Sequence, residues 1–154
     1  MRLSTLISAT ITATTLAAAP LQAKEVKDVL MPEDAEALAF QSAVGFADAV
    51  IAGETVYLSG VVATPEPGEV GGAAAFDRAF RRIEATLARA GVRWDDVVDI
   101  TTFHTDLAGQ ISEFSEVKNR YVKVPFPAWT AIGISALYEP TALVEIKIVA
   151  HKAK

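Results

Sequence analysis

The chain has no cysteine, so neither a disulfide framework nor thiolate chemistry is available to it. Positive charge is scarce: 14 Lys and Arg stand against 19 Asp and Glu, for a formal net charge of −5. Such a domain repels a phosphate backbone at long range, which argues against nucleic acid as a partner. There is no glycine-rich phosphate loop. Gly71-Gly72 precedes a helical stretch but lacks the lysine and the spacing that a phosphate cradle needs. No serine elbow or triad pattern can be written around Ser59-Gly60. His104 and His151 have no further ligand at metal-binding spacing, and Asp95, Asp96 and Asp99 lack both EF-hand spacing and a third ligand. His104 therefore reads as a satisfied or exposed strand histidine. The expectation is a domain without metal or cofactor, held together by packing and by assembly.

What is present is globular: 51% of residues are hydrophobic and 21% charged. Residues 1–23 stand apart. Met1-Arg2 is a minimal basic start, Leu3 to Ala19 is apolar and rich in Ala and Thr, and Leu21-Gln22-Ala23 suits a peptidase site before Lys24. Ser and Thr dilute the run too much for a good membrane span, so the pattern is that of a secretory signal peptide. Its removal takes Arg2 with it, moves the charge from −5 to −6, and leaves residues 24–154 as a single domain. The expected destination is the periplasm or the exterior, with no stable membrane anchor after cleavage.

Lys24 to Gly45 has no clear period and reads as an extended arm with a short helical turn around Pro32 to Leu38. Phe46 to Ile51 and Thr55 to Ser59 read as strands joined at Ala52-Gly53-Glu54, with Gly53 supplying the turn. From Ala73 to Ala90, the residues Phe76, Ala79, Phe80, Ile83, Leu87 and Ala90 recur at three- and four-residue steps, which predicts an amphipathic helix stopped by Gly91. Val97 to Thr105 suits a strand, and a shorter helix is expected from Gln110 to Tyr121. Pro125 and Pro127 precede a strand over Ala128 to Ser135, and a last strand spans Val144 to His151. By alternation, Val144, Ile146 and Ile148 face the core while Glu145 and Lys147 face away. Assigning Ile132 and Ile134 to the core puts Trp129 on the same outer face as Glu145. The order ββ-α-β-α-ββ predicts an α+β sandwich, a mixed sheet with two helices on one face. Its other face is too apolar to stay wet, so other subunits are expected to cover it.

These segments resemble the Rid (YjgF-type) proteins. The likeness is carried by Gly53-Glu54-Thr55-Val56-Tyr57-Leu58-Ser59-Gly60, Leu87-Ala88-Arg89-Ala90-Gly91, Asp96-Val97-Val98, Phe103 to Leu107, Phe126-Pro127-Ala128 and the closing strand Val144 to Ala150. It spans roughly Gly45 to Ala150. It implies a chorismate-mutase-like fold and a homotrimer whose sheets line a barrel, with small-molecule clefts between subunits. Archetypal members hydrolyse reactive imines and enamines to 2-keto acids and ammonia without a cofactor. Their central residue is an arginine directly after Phe-Pro-Ala, whose planar fork pairs both oxygens of a carboxylate. Here that position is Trp129. Losing such an anchor costs roughly 2–5 kcal/mol of binding.

The resemblance further implies that Glu145, the retained acid of the last strand, positions water or a substrate nitrogen; otherwise it is a solvated or ion-paired strand carboxylate. Ser59 and Gly60 retain the family backbone, Lys118 stands at a family asparagine, and Phe46 stands at an aromatic that is often tyrosine. With Ala131 and Tyr121 they complete the expected ligand-binding set around Trp129. Trp129 is either a stacking platform or a packing residue at the subunit interface. Lys118 either restores a positive charge or is a solvated helical lysine. The expected function is a divergent Rid protein with weak or altered hydrolysis of an imine, enamine or related compound. The alternative is a non-catalytic small-molecule-binding module of the periplasm.

Overall fold

The computed structural model describes residues 28–152; the expected leader at 1–23 lies outside the described residues. The elements run β1 (Asp28–Leu30), α1 (Ala35–Val44), β2 (Ala49–Ala52), β3 (Thr55–Leu58), β4 (Val61–Ala63), α2 (Ala73–Arg89), a 3-10 turn (Trp94–Asp96), β5 (Val97–His104), α3 (Leu107–Tyr121), β6 (Ala128–Gly133) and β7 (Val144–His151). No helix among the described residues is long and apolar enough to cross a membrane.

The long amphipathic helix falls where its spacing predicts, over Ala73–Arg89, and the chain turns out of it at Gly91 with φ of 74°. Phe76, Phe80, Ile83 and Leu87 form its buried stripe. They pack with Phe114 and Val117 of α3 against Val56, Leu58, Ile100, Ile146 and Ile148 of the sheet. Each such side chain contributes about 1.5–3 kcal/mol by leaving water. α3 begins at Leu107, three residues before the predicted start. Asp106 caps it by accepting the Gly109 N–H, and this cap lies ahead of the first apolar repeat.

The N-terminal arm departs from expectation. It forms a strand and a ten-residue helix, capped by Asp34 at one end and by Gly45, with φ of 90°, at the other. No residue of α1 is buried. Its sequence AEALAFQSAV is apolar on all sides, so it carries no helical period to read.

All seven strands join one mixed sheet in the order β1-β2-β3-β7-β5-β6, with β4 also paired to β7. α2 and α3 cover one face. β2 and β3 form the predicted hairpin, with Ala52 opposite Thr55 and Gly53 at φ of 60°. β3 and β4 then pair successive stretches of β7. Tyr57 lies opposite Val149 and Val61 opposite Ile146, four steps on one strand against three on the other. Ser59-Gly60 thus holds one extra residue, a bulge that swaps which side chains face the core: Val56 and Leu58 before it, Val61 and Ala63 after it.

The last two strands are not neighbours, which corrects the expected pairing. β5 lies between them, antiparallel to β7 and parallel to β6. The β5-α3-β6 crossover imposes this order, because parallel strands need a long connection and a helix supplies it. Ile100 stands opposite both Trp129 and Ile148, and Phe103 opposite both Ile132 and Glu145. Trp129 therefore faces the helices, and Ile132 shares the outer face with Glu145, the reverse of the predicted parity. Tyr57 and Ile132 are 47% and 39% exposed on that outer face.

Candidate functional site

Trp129, the second residue of β6, directly follows Phe126-Pro127-Ala128 and lies beneath the end of α3. Its indole N–H donates to Thr102 Oγ1 at 3.1 Å, and its ring lies 6.1 Å from that of Phe114. Lys118 reaches across it from α3, with Nζ 4.6 Å from the ring centroid. The lysine is only 7% exposed, whereas the indole is 36% exposed. Nζ donates to Asn119 Oδ1 at 2.8 Å. Burial pulls the Lys118 pKa below the usual lysine value, because removing water penalises the ammonium. The two side chains open onto a cleft of about 330 Å³ lined by Asn119, Val122, Phe126 and Pro127, with Ile100 at its base. Among the described residues no carboxylate lines it.

Behind the indole runs a buried polar chain. Thr102 Oγ1, which accepts from Trp129, also bonds His104 Nε2 at 2.9 Å. Both residues are fully buried. Burial lowers the His104 pKa, opposed by a hydrogen bond with Gln110. His104 is thus a satisfied strand histidine rather than an exposed one. Among the described residues no three His, Asp or Glu side chains converge as metal ligands.

Glu145, Ser59 and Gly60 meet on the other face of the sheet. Glu145 lies opposite Val62 and Phe103, directly under the bulge. A Cβ on Gly60 would stand 1.7 Å from Glu145 Oε1, so any larger residue there would push the Glu145 carboxylate aside. Glu145 makes no side-chain hydrogen bond or ion pair among the described residues. It is two strands and three residues along from Trp129, about 14 Å by strand spacing and rise, and points the opposite way. One chain therefore does not bring Trp129 and Glu145 into a shared site, as the parity reading had placed them.

The remaining expected residues divide. Ala131 lies two residues beyond Trp129 on the same face, opposite Thr102. Tyr121 does not line the cleft. It stacks on Phe80 at 5.1 Å and donates to Asp77 Oδ1 at 2.8 Å, tying α3 to α2. Burial, reinforced by the carboxylate acceptor, pushes its pKa up to about 12. Phe46 stands beyond α1, 38% exposed and edge-on to Phe40. Its neighbour β2 is four strand positions from β6, about 19 Å in one sheet. Only another copy of the chain can bring Phe46 to the Trp129 cleft. Asn119 and Thr102 join the site unforeseen. Asn119 follows Lys118 directly, and Thr102 shares the core-facing alternation of Ile100 and His104.

A second cleft, of about 260 Å³, lies beside Val62, Thr64, Arg82 and Glu139. Of its two arginines, Arg78 is engaged by the Thr64 carbonyl at 2.9 Å and by Glu69 at 2.8 Å. That contact holds the Glu69 pKa down to about 2. The pair fastens the loop to α2 and leaves Arg78 little freedom to bind anything else.

Residues 36–152 match the family described as Endoribonuclease L-PSP. The chain belongs to this RidA/YjgF family. It is 37% identical over 95 residues to the RutC family protein YjgH of Escherichia coli strain K12, covering 60% of this chain and 72% of that protein. The crystal structure of Rv2704 from Mycobacterium tuberculosis, a YjgF/YER057c/UK114 family member, superposes with a TM-score of 0.69 at 30% identity, covering 82% of this chain and 99% of that one. A solved structure of YjgH gives a TM-score of 0.70 at 30% identity over 83% and 98% of the two chains. RidA from the Antarctic bacterium Psychrobacter sp. PAMC 21119 gives 0.62 at 32% identity over 70% and 88%. The sandwich is thus of the YjgF type, as the resemblance implies.

Proposed function

We propose that this RidA/YjgF protein binds a small, flat, weakly charged molecule in the Trp129–Lys118 cleft and hydrolyses imines or enamines far more weakly than archetypal Rid proteins. One observation carries this reading: an indole covered by Lys118, rather than a guanidinium, occupies the position after Phe-Pro-Ala. A guanidinium fork pairs both oxygens of a carboxylate, whereas an ammonium is a single point charge, here partly desolvated and already hydrogen-bonded to Asn119. Aromatic and apolar walls with one cation favour stacking and a single polar contact.

The proposed assembly is a homotrimer. β6 ends the sheet of one chain, and the Trp129 cleft opens near that edge, where a neighbour could bring its Phe46. The outer face, with Tyr57, Phe103 and Ile132, would be covered in the same assembly. The leader pattern supports a mature protein of the periplasm or the exterior, away from the mainly cytosolic pyridoxal-phosphate enzymes that release reactive imines.

The separation of Trp129 from Glu145 on opposite faces favours a second reading, a binding module with no catalysis. Measuring 2-aminoacrylate breakdown separates the two. A small rate above buffer, abolished by Glu145→Ala, supports the weak hydrolase. No rate supports the binding module, and a rate equal to that of archetypal Rid proteins contradicts both. RNA cleavage, suggested by the family's description, is opposed by the net charge of −5.

A further inference from the structure

The cleft contains a nucleophile that stacking and point-charge recognition leave unused. Lys118 Nζ stands over the indole at 4.6 Å, and its one hydrogen-bond acceptor among the described residues is the neutral Asn119 Oδ1. No carboxylate pairs with it there, although the chain is rich in acids. The other walls, Val122, Phe126, Pro127 and Trp129, offer apolar and aromatic surface.

We infer that Lys118 captures carbonyl compounds, forming a reversible imine with a small aromatic aldehyde seated in this cleft. The inference rests on the cleft being the ligand site and adds a covalent step to it. The ammonium first releases one proton to solvent. The nitrogen lone pair then attacks the carbonyl carbon, the C=O π pair moves to oxygen, and a second proton passes from nitrogen to that oxygen to give a neutral carbinolamine. The C–O bond breaks, the hydroxyl leaves as water with the last proton on nitrogen, and a C=N bond remains. The step is a condensation without net oxidation, so it needs no oxidant, reductant or second substrate, and added water reverses it.

Three features favour it. Partial desolvation eases loss of the ammonium proton, the direction in which burial moves this group. The indole holds the nitrogen 4.6 Å from its ring centroid, so the amine stands at the aromatic wall of the cleft within reach of an aldehyde bound there. An aldehyde suits the crowded approach beside Trp129, because its carbonyl carbon bears only a hydrogen besides the ring.

The test uses the full mature protein, benzaldehyde as probe, and borohydride to reduce the imine to a stable benzylamine. Adducts are located by peptide mass spectrometry, and binding without borohydride is followed as a shift in melting temperature. The expected result is benzylation of Lys118 ahead of the exposed Lys123, with loss of that adduct in Lys118→Arg. The arginine variant cannot form the imine, so any thermal shift it retains reports noncovalent binding alone. A saturable thermal shift in the wild type with no Lys118 adduct overturns the covalent step and leaves the ligand cleft standing. Neither shift nor adduct overturns both.

Discussion

Lys118 lies over the indole of Trp129 on the helical face of the sheet, while Glu145 lies on the opposite face beneath the Ser59-Gly60 bulge. A cation stacked on a ring is held by the ring's negative face, and the attraction strengthens as water is excluded. The pair therefore defines one chemical environment, aromatic and weakly positive. Glu145 with the bulge defines another, acidic and open to a partner chain.

Trp129→Arg alone should raise carboxylate binding only modestly, because the new guanidinium would sit beside the Lys118 ammonium. Adding Lys118→Asn removes that like charge and restores the family's residue types at both positions. The double variant should hydrolyse 2-aminoacrylate at least ~10-fold faster than the single variant, since close like charges in a partly dry site cost a few kcal/mol. Equal rates would mean that the helical-face pair does not control carboxylate binding.

Thr102→Val should destabilise the fold by about 1–3 kcal/mol in urea denaturation, because one hydroxyl serves both the indole N–H of Trp129 and His104 Nε2. Thr101→Val alters a hydroxyl bonded only to Asp99 on the outer face and should cost under ~1 kcal/mol.

Stability should respond to pH through buried His104 and half-buried Tyr121. His104 has a folded pKa below 6.5, so the unfolded chain binds more protons as the pH falls below 6.5, and stability drops there. Tyr121 is shifted the other way, from 10.0 to about 12, so its contribution is present below pH 10 and is lost as the pH rises through 12. Urea titrations at a series of pH values should show the alkaline loss flattened in Tyr121→Phe and the acid loss reduced in His104→Gln.

The mature chain should sediment as a trimer. Ile132→Lys, on the apolar outer face, should shift it towards monomer while keeping the far-ultraviolet circular dichroism. A wild-type monomer at micromolar concentration would remove the basis for seams between subunits.

The sequence and the fold agree where one physical signal dominates. The α2 stripe of Phe76, Phe80, Ile83 and Leu87 is legible because one face is buried and the other is not. β7 is legible for the same reason, with Ile146 and Ile148 inward and Lys147 outward. β6 was misread because apolar side chains occur on both of its faces. Ile132 looks like a core residue but lies outward, and the indole, which looks fit for an interface, packs against Phe114 and α3. When both faces are apolar, hydrophobicity cannot set the parity; the parallel register with β5 does. The bulge at Ser59-Gly60 escapes reading for a related reason, since one inserted residue reverses the alternation without changing composition. The site was half legible. Lys118 with Trp129, and Glu145 with Gly60, do meet, but as two places rather than one, and Tyr121 is taken up by Asp77 and Phe80.

The most direct test compares the thermal stability of wild type and Trp129→Ala across a titration with a neutral single-ring aromatic ligand. A saturable rise in melting temperature for the wild type, absent from a folded Trp129→Ala, is the predicted result. An identical rise in both proteins, or a rise only with amino-acid-like carboxylates, would contradict a ligand cleft built on Trp129.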